Sequence, residues 1–200
     1  MIQLMSRIIS KLDLICFRVF NSPFFKHLGR SASMQRPFRL DGSKNIELGA
    51  NSIVLRGGWL YCQGIEGASA SLKIGNGCVF GYNNHITSVR SVLIGNNVLT
   101  ANNVYISDNF HSYENTELPI MHQPIQFKKM VVIGDGAWIG ENACIIGATV
   151  GRNSVIGANA VVTRDIPDYS VAVGMPAVVI RQFDLKLKKW IEISPIPVEF

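Results

Sequence analysis

The stretch IGDGAW-IGENAC-IIGAT-VGRNSV-IGANAV-VTRDIP, from Ile133 to Pro167, repeats every six residues. Each unit opens on a branched aliphatic residue: Ile133, Ile139, Ile145, Val150, Ile156 and Val162. Gly follows at Gly134, Gly140, Gly151 and Gly157, and a small residue stands four positions after most openers, at Ala137, Ala143, Thr149, Ser154 and Ala160. An amphipathic helix needs period 3.6 and an alternating strand period 2, so neither accounts for a period of six. A fixed short period marks a solenoid, in which each repeat buries its apolar side only by stacking on its neighbours. The expected fold is therefore an all-β solenoid, a parallel β-helix whose coils each contain three short strands. The opener fills the interior, the small residue fits beside it, and Gly, Asn or Asp turns the corner where φ is positive. The unit Ile145–Thr149 is one residue short, which predicts a local irregularity in its coil.

The same frame returns upstream at Leu48-Gly49, Ile74-Gly75, Phe80-Gly81, Ile94-Gly95 and Thr100-Ala101, with Cys78, Val98 and Val104 in the fifth position. These matches place the β-helix at residues 45–183, with a lead-in over 1–44 and a short tail over 184–200. The chain has 200 residues, 18 Gly and only 16% charged residues, which suits one tightly wound β domain. Charge is uneven: residues 1–44 hold eight Lys or Arg against Asp13 and Asp41, a net of +6, and the remainder carries a net of −1. With the basic excess confined to the lead-in and no recognition motif, nucleic-acid binding is not expected.

Within the lead-in, Ile2, Met5, Ile8, Ile9, Leu12, Ile15, Cys16 and Val19 recur at helical spacing, with Arg7, Lys11, Asp13 and Arg18 between them. This predicts an amphipathic helix ending near Asn21-Ser22-Pro23. The charges interrupt the apolar run before the ~18 residues a membrane span needs, and the pattern is not that of a secretory leader. Two readings are open: a cap over the edge of the first coil, or contact with an anionic membrane face. The expected location is the cytoplasm, with the inner face of its membrane under the second reading. Cys16, Cys62, Cys78 and Cys144 are scattered without a CxxC pair, which predicts reduced thiols.

The hexads stop after Tyr105-Ile106, where SDNFHSYENTELPIMHQPIQFKKMVV (residues 107–132) intervenes before Ile133. A loop of this length without periodicity of its own is more often functional than decorative. It carries His111, Tyr113, His122 and the pair Lys128-Lys129.

The SDNFH segment, the run VVIGDGAWIGENACI and the run VIGANAVVTRDIPDYSVAVGMPAVVIR together resemble the left-handed β-helix hexapeptide acyltransferases. The likeness covers roughly residues 37 to 183 and is strongest to the saccharide O-acetyltransferases that modify galactosides, maltose and O-antigen. It implies a homotrimer of left-handed coils, an exception to the usual right-handed crossover, with acetyl-CoA as donor in a groove between subunits. His111 matches the family's catalytic base, and Asn84 an active-site asparagine of the galactoside branch, with a place in an asparagine stack inside the coil as the alternative for Asn84. Trp138 matches an aromatic near the acetyl end of the cofactor, and Ala158, Thr163, Arg164 and Arg181 fall on positions lining the CoA arm. Glu141 departs from the hydroxyl residue found in some relatives. No metal is expected. The implied acceptor is a saccharide, either a lipid-linked surface-polysaccharide precursor or a soluble sugar, amino sugar or xenobiotic.

The chemistry fits these residue types. A sugar hydroxyl is a weak nucleophile, so its attack on a thioester needs a base to take the proton as the C–O bond forms. Imidazole as a class is largely neutral at cytoplasmic pH. The developing oxyanion needs donors, from backbone N–H groups or an amide such as Asn84. Arg164, Arg181 and Lys128-Lys129 suit the phosphates of CoA. A metal trimer of the carbonic-anhydrase kind on the same fold would draw on His85, His111 and His122, but the spacing of His111 and His122 within one loop is not that of such ligands. A sugar-binding scaffold without catalysis is the third reading.

Overall fold

The computed structural model describes residues 12–13 and 15–193. Its strands stack in parallel into three sheets, the sides of a triangular prism, in a left-handed β-helix. The first side holds His27–Leu28, Ile46–Leu48, Ser71–Ile74, Ser91–Ile94, Val131–Ile133 and Thr149–Val150. The second side holds Ser33–Met34, Ile53–Val54, Val79–Phe80, Leu99–Thr100, Trp138–Ile139 and Val155–Ile156. The third holds Arg39–Asp41, Trp59–Cys62, His85–Ser88, Tyr105–Ser107, Cys144–Ile146 and Val161–Val162. One strand from each side in turn makes a coil, so coiling begins at His27, well before the expected boundary at residue 45. Leu28-Gly29 was the overlooked sign. It is an opener and glycine stacked on Leu48-Gly49, in a coil whose other turns lack the pattern.

Register turns the openers into columns. Leu48, Ile74, Ile94, Ile133 and Val150 stack on the first side and Leu60, Ile86, Ile106, Ile145 and Val162 on the third, all buried. Burying one such side chain is worth about 1.5–3 kcal/mol. Corners are turned by Asn51, Asn97, Asn103, Asn142, Asn153 and Asn159, all at φ between 48° and 60°, a region asparagine tolerates better than most residues. Corner side chains also tie coil to coil: Asn76 N–H donates to Asn96 at 2.9 Å, and Asn96 N–H to Asp135 at 2.7 Å. Gly95 follows its opener because a Cβ there would lie 2.7 Å from the backbone nitrogen of Asp135. The short unit turns its corner on Gly147 at φ 56°, where a Cβ would crowd the Lys128 side chain.

Residues 15–21 are helical and run into the 3-10 turn Ser22–Phe24, the expected end point. Ile2, Met5, Ile8, Ile9, Arg7 and Lys11 lie outside the described residues. The helix does cover the first coil, but with a face other than the apolar stripe. Phe17 is buried and packs edge-on to Phe25, with ring centroids 5.8 Å apart. Arg18 turns inward and donates to the carbonyl of Gly29 at 2.7 Å, and Asp13 pairs with Arg36 at 3.5 Å. Leu12, Ile15, Val19 and Phe20 are left 54–70% exposed.

Two further segments depart from expectation. The loop 107–132 is not structureless: Asn109–His111 and Ile125–Phe127 pair as an antiparallel hairpin, with a 3-10 turn at Ile120–His122. At the other end of the prism, Ser170–Val173 extends the second side in parallel. Val178–Asp184 and Lys189–Glu192 then add antiparallel strands, so the presumed tail from residue 184 is partly sheet.

Candidate active site

Each corner of the prism lies opposite one of its sides, and this decides what a single chain can bring together. The hairpin bearing His111 leaves the corner between the third and first sides, directly after Tyr105–Ser107. Its neck is closed by Lys128 N–H donating to the carbonyl of Asp108 at 2.8 Å. Directly paired residues share a face of the ribbon, so Asn109, His111, Ile125 and Phe127 lie together. The Arg90 guanidinium sits over the Phe127 ring, 5.2 Å from its centroid, on that same face. The His111 side chain is exposed.

Thr163 and Arg164 follow Val161–Val162 and stand exposed at the same corner, two coils further on. There Lys129 pairs with Asp165 at 2.7 Å, and Thr149 N–H also donates to that carboxylate, which together hold its pKa below the ordinary range. Trp138 lies elsewhere: it points outward from the second side, half exposed, in a row with Val79, Leu99 and Val155. Ala158 is exposed at the corner between the second and third sides. Arg181 belongs to the terminal strands, where it pairs with Glu192 at 2.8 Å and lies against the Trp190 ring. One copy of the chain therefore does not bring His111, Thr163 and Arg164 to the same ligand as Trp138.

Asn84 is a correction to the sequence-based assignment. It occupies the fifth position after the opener Phe80, the position that points into the coil, and it is fully buried. Its amide donates to the carbonyls of Gly81 at 2.8 Å and Ala101 at 3.0 Å, and its oxygen accepts from the Thr100 hydroxyl at 3.1 Å. Thr100 is the one polar opener in the second column, and Asn84 satisfies it. An amide so engaged is not free to meet an oxyanion. Glu141 is likewise structural: it accepts from Asn102 N–H at 2.9 Å in the corner ladder.

His85, His122 and His111 do not converge. His85 lies on the outer surface of the third side, stacked on Trp59 with centroids 4.0 Å apart and planes 5° from parallel. Tyr105 continues the row. Burial pushes the His85 imidazole below its ordinary 6.5. His122 is exposed on the loop turn. Cys62 and Cys78 are buried in the coil, and burial drives the Cys62 thiol up to about 11. Among the described residues no cluster of three His, Cys, Asp or Glu could hold a metal.

A residue that sequence reading missed is Asp108. It is fully buried, and backbone N–H groups of Val89, Arg90 and Ser91 donate to its carboxylate at 2.8–2.9 Å. Its place beside the repeat's interruption was the only sign in the sequence.

The family model described as the hexapeptide repeat of succinyl-transferase matches residues 71–108 and 130–164. The galactoside O-acetyltransferase of Escherichia coli K12 is 38% identical over 120 residues, 58% of this chain and 56% of that protein. A protein of the same organism provisionally named the lipopolysaccharide biosynthesis O-acetyl transferase WbbJ is 34% identical over 130 residues, 58% of this chain and 66% of that protein. The chain thus spans between about half and two thirds of the length of these relatives. A hexapeptide-repeat acetyltransferase of Vibrio cholerae, solved with acetyl coenzyme A, superimposes with a TM-score of 0.56 at 23% identity, over 83% of this chain and 75% of that one. At that identity the likeness is one of fold.

The His85 stack yields a pH-dependent stability. Its folded pKa lies below 6.5, so protons favour the unfolded chain. This contribution is fully present above 6.5 and is lost as pH falls below it. The melting temperature should drop between about pH 7 and about pH 5, and His85→Phe should reduce that drop. An unchanged drop in the variant would assign the acid sensitivity to other groups.

Proposed function

This chain belongs to the hexapeptide-repeat acyltransferase family, and from that footing we propose that it transfers the acetyl group of acetyl-CoA to a saccharide hydroxyl. The observation that carries the reading is the exposed His111 imidazole, held on a short ribbon rooted in the coil. In this reading His111 takes the acceptor's proton as its oxygen attacks the thioester carbonyl. The tetrahedral intermediate expels the CoA thiolate, and the imidazolium returns the proton to that sulfur. Arg164 and Lys128 supply cationic side chains at the same corner for the cofactor's phosphates. With Asn84 engaged inside the coil, oxyanion donors come from backbone N–H groups. The relatives named for galactoside and lipopolysaccharide acetylation favour a sugar acceptor, and we assign the chain a surface-polysaccharide precursor.

His111→Ala should reduce acetyl transfer about 10²–10⁴-fold while leaving CoA affinity within a small factor. Turnover near that of the unaltered protein would remove the base assignment.

The separation of Trp138 from the His111 corner makes the proposed site a shared one. The outward row Val79, Leu99, Trp138 and Val155 is an apolar strip on the second side, and a second copy's opposite corner can cover it. Such a side-to-corner contact is heterologous, and in this proposal three copies close it into a C₃ ring with three sites. Light scattering should give a mass near three times 22.0 kDa. Leu99→Asp should lower both mass and activity, whereas a fully active single chain would refute the shared site.

Among the described residues no helix is long and apolar enough to cross a membrane. The stripe Leu12, Ile15, Val19 and Phe20 nevertheless faces outward within a segment of net charge +6. We assign it to peripheral contact with an anionic leaflet, which suits a lipid-linked acceptor. The protein should co-sediment with acidic vesicles, less so as salt rises. Ile15→Asp with Phe20→Asp should abolish sedimentation while sparing activity on a soluble acceptor. Absence of sedimentation at low salt leaves the helix as a coil cap alone.

A further inference from the structure

We infer that Asp108 is a positioning residue, which fixes the neck of the hairpin so that His111 meets the acceptor hydroxyl in a single geometry. The inference rests on the reading of His111 as the base.

At other corners of the prism the acceptor for a neighbouring coil's N–H is an Asn at least partly open to solvent, as at Asn76, Asn96 and Asn102. Asp108 is different in burial and in the number of donors it collects. Its carboxylate is fully buried and accepts from Val89 N–H at 2.9 Å, Arg90 N–H at 2.8 Å and Ser91 N–H at 2.8 Å. The Ser88 hydroxyl adds a fourth contact at 3.3 Å and the Asn109 amide a fifth at 2.9 Å. An ion removed from water is costly unless its lone pairs are filled in good geometry, and here three consecutive backbone donors and two side chains fill them. A corner alone does not require a buried ion, since Asn, Asp and Glu side chains open to solvent serve others.

Its place in the chain shows what the carboxylate holds. Asp108 directly precedes the strand Asn109–His111, and its own carbonyl accepts from Lys128 N–H, which closes the returning leg. One residue thus joins both legs of the hairpin to the turn 88–91 of the preceding coil. Asn109 carries the connection onto the ribbon. Its amide bridges the Asp108 carboxylate and the Thr87 hydroxyl, the latter at 3.3 Å, and it lies on the same ribbon face as His111. The same carboxylate fixes the backbone of Arg90, whose guanidinium lies over that face. Among the described residues the hairpin has no sheet neighbour beyond its own two strands, so the orientation of His111 relative to the coil depends on this neck. A displacement of about 1 Å at reacting atoms can cost about 10²-fold in rate.

The test is a double-mutant cycle with Asp108→Asn and His111→Ala, scored per folded molecule. In Asp108→Asn an NH₂ replaces one oxygen and faces N–H donors. kcat should fall about 10- to 100-fold, with KM for acetyl-CoA changed less than about twofold. In the His111→Ala background the same substitution should have no further effect on kcat, because a residue acting through His111 has nothing left to position. Should Asp108→Asn fail to fold, Asn109→Ala replaces it in the cycle; it leaves the carboxylate's backbone donors intact and cuts its tie to the ribbon. Normal kcat in the folded variants, or losses that multiply with that of His111→Ala, would overturn the positioning role while the base assignment stands. Near-normal turnover of His111→Ala itself would instead remove the base, and the positioning role with it.

Discussion

The structure depends on backbone hydrogen bonding between stacked coils, whose successive sides repeat at a six-residue spacing. Most strands hold two to four residues, too short to persist in isolation, and those inside the stack are paired on both edges by the coils before and after them. Such pairing succeeds only if every coil presents the same outline to the next. The inward openers therefore stand in columns, and glycine follows them where the next coil's backbone passes close to the Cβ position. Stability is then a sum of near-neighbour contacts, and a single ill-fitting coil disturbs both of its neighbours.

A stack of this kind has two open edges and one interruption, and the chain treats each differently. The first coil is covered by a helix that docks through Phe17 and Arg18, turning its apolar stripe outward. The last coil is followed by antiparallel strands on the second side, which end the parallel stack. The interruption at residues 107–132 is bridged by a hairpin fastened to the coil at Asp108. The coils on either side still pair directly, Tyr105–Ser107 with Cys144–Ile146, so the insertion leaves the stack unbroken. The rigid prism thereby supplies a fixed base for a side chain that the regular coil, with its outward positions spaced by strand register, would not project so far.

The prism's geometry also explains why residues that resemble one cofactor site are scattered in one chain. A corner and the side opposite it are separated by the whole core, so a single copy does not present Trp138 and the His111 corner to one ligand. The third side contributes a row of its own, Arg39, Trp59, His85 and Tyr105, whose stacked rings are used by each other. Cation and aromatic contacts there are therefore accounted for within the chain.

The β-helix was legible in the sequence because its constraint is local and periodic: from Ile133 to Val162 the opener, the glycine and the small fifth residue each report the same inward geometry. The shortened unit was legible for the same reason. The first coil was not, since Leu28-Gly29 stands there without neighbouring matches and only pairing with Leu48-Gly49 identifies it. Asn84 shows the limit of likeness between sequences. Its residue type suits an oxyanion donor, but its fifth position and the polar opener Thr100 turn it into the core. Helical spacing announced an apolar stripe near the N-terminus, but which face meets the coil was settled by the fit of Phe17 and Arg18. Asp108 was invisible as a neck because its partners, residues 87–91 and 128, are distant in sequence and meet only when the coils stack. Periodicity thus determined the scaffold, whereas side-chain direction and contacts between coils, which depend on packing across many residues, were decided by the tertiary structure.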